Sequence, residues 1–470
     1  MDRAESQHPE LEQEVEKSLS LTQEDLTKRR LVLLSFPVMI SLIAQNLIGV
    51  IDTAFLARLG DAELGGTAMA SLVYYSIYTI GFGLASGTQI MVSHRYGSGR
   101  KDEIGRILGQ SLHMLLLAAL GMIVLGVPLG KWIFDTLLTS DNVAAAATEY
   151  WDYLIFGYIF AFTAAVFRSF FVGISNTRVL TYNALVMSVV NIVLDYGLIF
   201  GNLGMPALGV KGAAIASVLS QVASVVFYLI YVIARVDCKL FKINRSNLLA
   251  WDPWMMKALL HLSYYLMLQA LISQSGWTIF FFMMEGLGER QLAVASIVRS
   301  LYSLLLIPGV SFNTAVRTTV SQIVGAGIDE HVQPYLRRAM SVSFSVVLAM
   351  TTLVFIFPKV LLHIYSSDPT LVAMAIPALR MIGVALVIHS VGGLHFAAVG
   401  ATGATKMVFL IDLVNTIFYV ILGAVVVYLL KGSVAACFSV EVIYYLSVTV
   451  MSYTFIKHSK WREPRWSRIQ

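Results

Sequence analysis

Charge is scarce in this chain: of 470 residues only 13% are charged while 57% are apolar, and the mean hydropathy is +0.74. Soluble domains carry about 25% charged residues, so a water-soluble globular protein of this length is excluded. Cysteine is scarcer still. The only two, Cys238 and Cys437, lie in a connection and in an apolar run, without metal-ligand spacing. No disulfide framework or zinc site is implied. The ten-residue apolar–polar alternation of a membrane β-barrel is also missing.

What the chain has instead is a series of apolar runs long enough for helices to cross a bilayer, which takes about 20 residues each. The runs predict twelve spans, over 31–57, 65–93, 105–134, 144–172, 179–201, 210–234, 256–284, 292–324, 336–362, 371–397, 407–430 and 433–456. The expected fold is an all-α integral membrane protein. Residues 1–30 hold eight acids, five bases and no apolar core, so they read as a cytoplasmic extension and not as a signal peptide. Lys and Arg collect on alternate connections, at Arg95, Arg100, Lys101, Arg106, Arg178, Arg235, Lys239, Lys242, Arg245, Lys257, Arg337, Arg338, Lys406 and the tail 457–470. The opposite connections hold one apiece, which predicts both termini inside a cell membrane. The net charge of +5 belongs to this fringe and argues for no nucleic-acid partner.

The chain is built twice. Val92-Ser93-His94-Arg95-Tyr96-Gly97-Ser98-Gly99 returns 228 residues later as Val320-Ser321-Gln322-Ile323-Val324-Gly325-Ala326-Gly327, and at the same offset Tyr74 meets Tyr302 and Thr177 meets Thr405. Each half has an even number of spans, so the halves run parallel, a common transporter design. The expected units are a lobe over 31–234, a linker over 235–255, a second lobe over 256–456 and a central cleft between the lobes. Gly97, Gly99, Gly325 and Gly327 read as helix terminators.

Acids inside the spans need a reason, because a charge at mid-membrane costs roughly 2.5 to 3.5 kcal/mol and is kept where it faces a cavity, a partner or an ion. Asp195 ends the stretch Asn191-Ile192-Val193-Leu194-Asp195, and four-residue spacing puts Asn191 on its helix face. Asp52 lies six residues before the outer Arg58, Asp195 seventeen past the inner Arg178 and Ser217 six past the outer Lys211. All three therefore reach a similar depth. Two carboxylates, an amide and a hydroxyl are hard oxygen donors suited to a cation such as Na⁺. A proton would neutralise the same pair. The structural alternative pairs both acids with a buried arginine such as Arg168. At the repeat offset Asn191 and Asp195 meet Tyr419 and Gly423, so the ion site is expected in the first lobe alone, with Asp412 and Glu441 structural. His113, His389 and His395 read as hydrogen-bonded groups of the bundle. Gln45, Tyr74, Tyr75, Tyr78, Arg168 and Met187 are candidate cleft residues for substrate, and Pro37, which removes a backbone hydrogen bond, is a candidate hinge.

Over residues 31 to 457 the sequence resembles the multidrug and toxic compound extrusion (MATE) transporters. The resemblance rests on Pro37 with Asp52 fifteen residues on and Gln45 between them. Asn191 and Asp195, the run Gly212-Ala213-Ala214-Ile215-Ala216-Ser217 and the paired Gly-x-Gly segments also carry it. The acid pair is similar to that of the DinF-like branch, and Ser263 to Met284 holds no acid where other branches carry a glutamate. Ser217 departs from the threonine often found there. The resemblance implies secondary active export of organic, cationic or amphipathic compounds by alternating access, driven by H⁺ or Na⁺, with no enzyme activity and no cofactor besides the ion. A monomer is expected. The alternatives are a flippase for a lipid-linked precursor, which calls for a cleft rich in cations, and a membrane-embedded transferase, which calls for clustered His or Asp.

Overall fold

The computed structural model describes residues 26–458 and Trp461, and among them there is no strand. Eleven helices are long and apolar enough to cross a bilayer, and a bent pair makes a twelfth span. The first lobe consists of α1 (Lys28–Leu56), α2 (Asp61–Gly97), α3 (Ile104–Leu137), α4 (Asp141–Leu154), α5 (Gly157–Gly173), α6 (Arg178–Phe200) and α7 (Gly209–Arg235). The second consists of α8 (Pro253–Glu285), α9 (Glu289–Gly325), α10 (Val332–Ile356), α11 (Pro369–Ala401), α12 (Thr405–Ala424) and α13 (Val434–His458). Most of the extension and tail expected from the sequence lies outside the described residues. The extension ends earlier than expected, because α1 starts at Lys28, where Thr27 caps it by accepting from the Arg30 amide at 3.3 Å.

Two spans differ from the sequence reading. The fourth, expected as one helix over 144–172, bends by 54° between α4 and α5. The break falls at Ile155 and Phe156, and the next residue is Gly157, where a Cβ would sit 2.8 Å from the Gln221 amide oxygen and 3.1 Å from the Tyr74 hydroxyl. The missing side chain lets the turn press against its neighbours. Tyr158 then stacks on Tyr74 at 4.3 Å and donates to the Tyr74 carbonyl at 3.0 Å. The ninth span, expected to reach 362, stops at Ile356, and Pro358 opens a separate short helix, Pro358–His363. A residue before proline is pushed out of the helical region, and Phe357 stands at φ −119°.

The lobes meet at one end. Ser263 donates to the Leu84 carbonyl at 3.3 Å, Gln89 to the Thr318 hydroxyl at 3.0 Å and Ser321 to the Ile90 carbonyl at 2.9 Å. Gln322 donates to the Gly173 carbonyl at 2.9 Å. Each contact falls in the half of the helices that bears the basic fringe, where one apolar core runs from Ile90 and Val172 across to Leu259, Ile323 and Leu394. At the other end the second lobe has a core of its own, around Phe280, Leu301 and Leu379. The central cleft separates the lobes there. The outer surface is apolar, as at Ile233 and Val124, 81% and 71% exposed, which suits contact with lipid tails.

Gly97 and Gly325 do more than end their helices. A Cβ on Gly97 would collide with the Gln322 carbonyl, and one on Gly325 with the His94 carbonyl. Gly99 and Gly327, with φ of +76° and +72°, are the terminators. The repeated Gly-x-Gly thus divides its work, one glycine admitting the other lobe and the next reversing the chain.

Candidate functional site

Asp52 on α1 and Asp195 on α6 are neighbours whose carboxyl groups lie close enough to interact. Asn191 and Asp195 are each 1% exposed, one helical turn apart on the face of α6 turned into the lobe, and Asp52 is half-buried. Neither oxygen of Asp195 has a hydrogen-bond partner, and Oδ1 of Asp52 and Oδ1 of Asn191 are also buried without one. Buried polar atoms are almost always satisfied, so four orphaned oxygens in one place make this the candidate site. Like charges at this range repel unless a proton or a cation lies between them.

Ser217 joins the group through a residue the sequence reading missed. The hydroxyl of Tyr150, on α4, lies beside those of Ser71 and Ser217, with both acids close by. Tyr150 is 5% exposed. The bend before Gly157 is what carries α4 to this place, packed against α2 and α7. Every donor here is oxygen, the set a hard monovalent cation prefers.

Arg168 takes no part. It lies among Tyr75, Tyr78 and Tyr228, and among the described residues no lysine or arginine forms a salt bridge with Asp52 or Asp195. The pairing alternative weighed from the sequence therefore has no support in the geometry. Tyr75 is 56% exposed and Tyr78 half-buried, packed on Phe162. Tyr74 is held inward by its stack on Tyr158. Gln45 is exposed and donates to the Ser41 hydroxyl at 3.1 Å, and Met187 stands half-buried one turn before Asn191. Pro37 is buried within α1, and its carbonyl accepts from Thr181 of α6 at 3.1 Å, so the candidate hinge is tied to the helix that carries Asp195.

The second lobe treats its acids differently. Asp412, fully buried, accepts from Tyr444 at 2.6 Å, from Gln269 at 2.7 Å and from the Ser273 hydroxyl. Glu441, 2% exposed, accepts from Tyr419 at 2.7 Å. Donors from α8, α12 and α13 converge on these acids and hold them as anchors. His389 lies on Tyr445 with ring centroids 4.7 Å apart, and its Nε2 is 3.3 Å from the Asn313 amide. His395 Nδ1 lies 3.0 Å from the Val391 carbonyl.

Two parallel six-span lobes around a cleft, with unsatisfied acids inside one of them, define a membrane transporter. A family model, MatE, matches residues 37–197 and 266–429, and the chain belongs to that family of multidrug efflux transporters. It is 24% identical over 381 residues to a probable multidrug resistance protein NorM of Thermotoga maritima, covering 80% of this chain and 81% of the relative. The probable multidrug resistance protein YoeA of Bacillus subtilis is 22% identical over 342 residues, covering 72% of this chain and 74% of that one. A solved outward-facing conformation of a multidrug resistance MATE family transporter of the MOP superfamily superposes with a TM-score of 0.84 at 21% identity, covering 94% and 96% of the two chains. A MOP superfamily transporter from Pyrococcus furiosus, described as having a binding pocket of reverse polarity, superposes with the same TM-score of 0.84 at 20% identity over 96% of this chain and 99% of that one.

Proposed function

We propose that this chain is a secondary active antiporter that exports organic, cationic or amphipathic compounds in exchange for H⁺ or Na⁺. The observation that carries the reading is the set of orphaned oxygens on Asp52, Asn191 and Asp195, backed by the Tyr150 and Ser217 hydroxyls. A proton or sodium ion entering from the open end of the cleft neutralises the acid pair and draws α1 and α6 together. Because Thr181 holds the Pro37 carbonyl, that movement acts on α1 at the proline, where the helix lacks one backbone hydrogen bond. One charge moving inward through 100 mV supplies about 2.3 kcal/mol, and a tenfold shift between states takes about 1.4, so a single ion suffices to bias the lobes. Substrate contacts come from Tyr75, Tyr78, Gln45 and Met187 along the first-lobe wall.

The DinF-like placement rests on this first-lobe pair and on the absence of an acid between Ser263 and Met284. Carboxylates in the first lobe, with Arg168 among Tyr75 and Tyr78 and not beside them, fit cation-coupled export better than a lipid-precursor flippase, which calls for a cleft rich in cations. Reconstitution into proteoliposomes, with a proton or a sodium gradient imposed separately, tests both class and ion. Substrate accumulation under one gradient and not the other is the expected result; accumulation under neither overturns the reading.

A further inference from the structure

A groove of about 620 Å³ lies on the inner half of α8, in a place the ion and substrate chemistry does not use. Its wall is one helix face. Trp254, Lys257, His261 and Tyr264 recur at helical spacing and are all exposed, the two aromatics at 50% each. Ala258, Leu260 and Tyr265 complete the wall. Tyr265 packs against Phe409 of α12 with ring centroids 6.0 Å apart, and three residues before Phe409 stands the exposed Lys406. Neither Lys257 nor Lys406 forms a salt bridge among the described residues, and no acid lines the groove. Two other bases of the fringe are engaged: Arg106 pairs with Asp252 at 3.0 Å and Lys242 with Asp102 at 2.8 Å.

Depth separates this groove from a general basic fringe. Along α8, at about 1.5 Å per residue, Lys257 lies about 6 Å and His261 about 12 Å from the helix start, with Tyr264 and Tyr265 deeper by one turn. The headgroup region of a bilayer leaflet is about 5 to 7 Å thick, so Lys257 meets the polar layer while Leu260, His261, Tyr264 and Tyr265 meet the upper acyl chains. Aromatic side chains at that boundary present an apolar ring below a polar tip. Unpaired lysines above, aromatic rings below and no competing carboxylate match one kind of molecule.

We infer that the inner end of α8, with Lys406 of α12, binds the headgroup phosphate of an anionic phospholipid from the leaflet that the Lys and Arg bias assigns to the cytoplasm. The lipid phosphate takes Lys257 and Lys406, and an acyl chain follows Leu260 and Tyr264 down the helix. Because α8 also carries Ser263, which donates to the first lobe, a lipid seated here braces the helix that closes the seam. The inference is independent of the coupling ion and of the exported compound.

The test is lipid retention by the full chain in nanodiscs of phosphatidylcholine with or without phosphatidylglycerol, read by native mass spectrometry after transfer to detergent. Wild type should retain phosphatidylglycerol in preference to phosphatidylcholine. Lys257→Ala and Lys406→Ala should each lower that preference about fivefold, the fold-change that about 1 kcal/mol per basic residue near an anionic surface gives. Lys257→Arg should keep it. Lys239→Ala, elsewhere on the fringe, should leave it unchanged, and an equal loss there would reduce the effect to general surface charge and overturn the site. Unchanged retention in the Lys257→Ala, Lys406→Ala double variant, or full competition by soluble glycerol phosphate, would overturn it as well.

Discussion

Asp195 lies against Asp52 with no protein donor on either of its carboxylate oxygens, whereas Asp412 in the other lobe accepts from Tyr444, Gln269 and Ser273. The same residue type is thus left open in one lobe and closed in the other. Asp195→Asn and Asp52→Asn should each cut gradient-driven uptake about tenfold or more, which corresponds to about 1.4 kcal/mol of lost coupling. Each variant should insert and migrate as a monodisperse peak, because removing one of two neighbouring like charges relieves repulsion. Undiminished transport by both variants in proteoliposomes would sink the ion-site proposal.

Asp412→Ala should behave in the opposite way. It takes the acceptor from the half-buried Tyr444 and Ser273 hydroxyls and from one N–H of Gln269, at up to about 1 to 3 kcal/mol for each group left unsatisfied. The expected outcome is a fall of several degrees in the thermal midpoint in detergent, larger than for Asp195→Ala. Equal midpoints for the two would mean that Asp412 is no anchor.

Tyr150→Phe removes one hydroxyl and keeps the ring. Since that hydroxyl lies beside Ser71 and Ser217 next to the acids, its loss should weaken the ion site without loosening the fold. The measurement is the concentration of driving ion that gives half-maximal transport, which should rise while substrate binding at saturating ion holds.

The glycine pairs separate into two kinds of variant. Gly97→Ala or Gly325→Ala forces a methyl group into a carbonyl of the opposite lobe, an overpacking that typically costs about 1 to 3 kcal/mol. The cost falls on the closed seam alone, so spin-label distances across the basic end should lengthen and transport should drop. Gly99→Ala puts a side chain at a left-handed turn, at roughly 1 to 2 kcal/mol, with the seam distances unchanged.

Outside the spans, Lys242 donates to Asp102 at 2.8 Å and ties the α2–α3 connection to the linker. That hydrogen bond, the largest influence on it, holds the Asp102 carboxyl below its ordinary value. A depressed carboxyl contributes stability that is full above the unfolded value, about 3.9, and is lost as pH falls through the lower folded one. Both side chains are about half exposed, at 55% and 51%, so solvent screening keeps the contribution below about 1 kcal/mol. Asp102→Asn should lower the thermal midpoint slightly at pH 7 and not at all near pH 2, and an equal drop at both would assign the effect to packing.

Much of this was legible from the chain. Twenty-residue apolar runs with basic flanks mark helices because a bilayer leaves few other solutions, and a repeat of 228 residues marks two lobes. The acid pair was legible because a charge in such a run has no cheap explanation. Tyr150 was not, since its place depends on the bend before Gly157, and a single glycine in an apolar run announces no direction. The donors of Asp412 were equally hidden: Gln269 and Ser273 lie about 140 residues away in sequence and share its face only after the lobe has packed. Gly97 and Gly325 looked like helix ends because the carbonyls they admit belong to the other half of the chain.

Those two contacts are related by the repeat itself. Gly97 receives Gln322, Gly325 receives His94, and the offset of 228 carries His94 onto Gln322 and Gly97 onto Gly325. In the vocabulary of oligomers this is an isologous interface, in which residue i meets j while j meets i. Here the two-fold partners happen to share one chain. Each half carries both the notch and the backbone that fills it, so a six-helix unit is self-complementary along this line, and the surface that now shuts one end of a transporter is of the kind that joins two separate copies into a dimer.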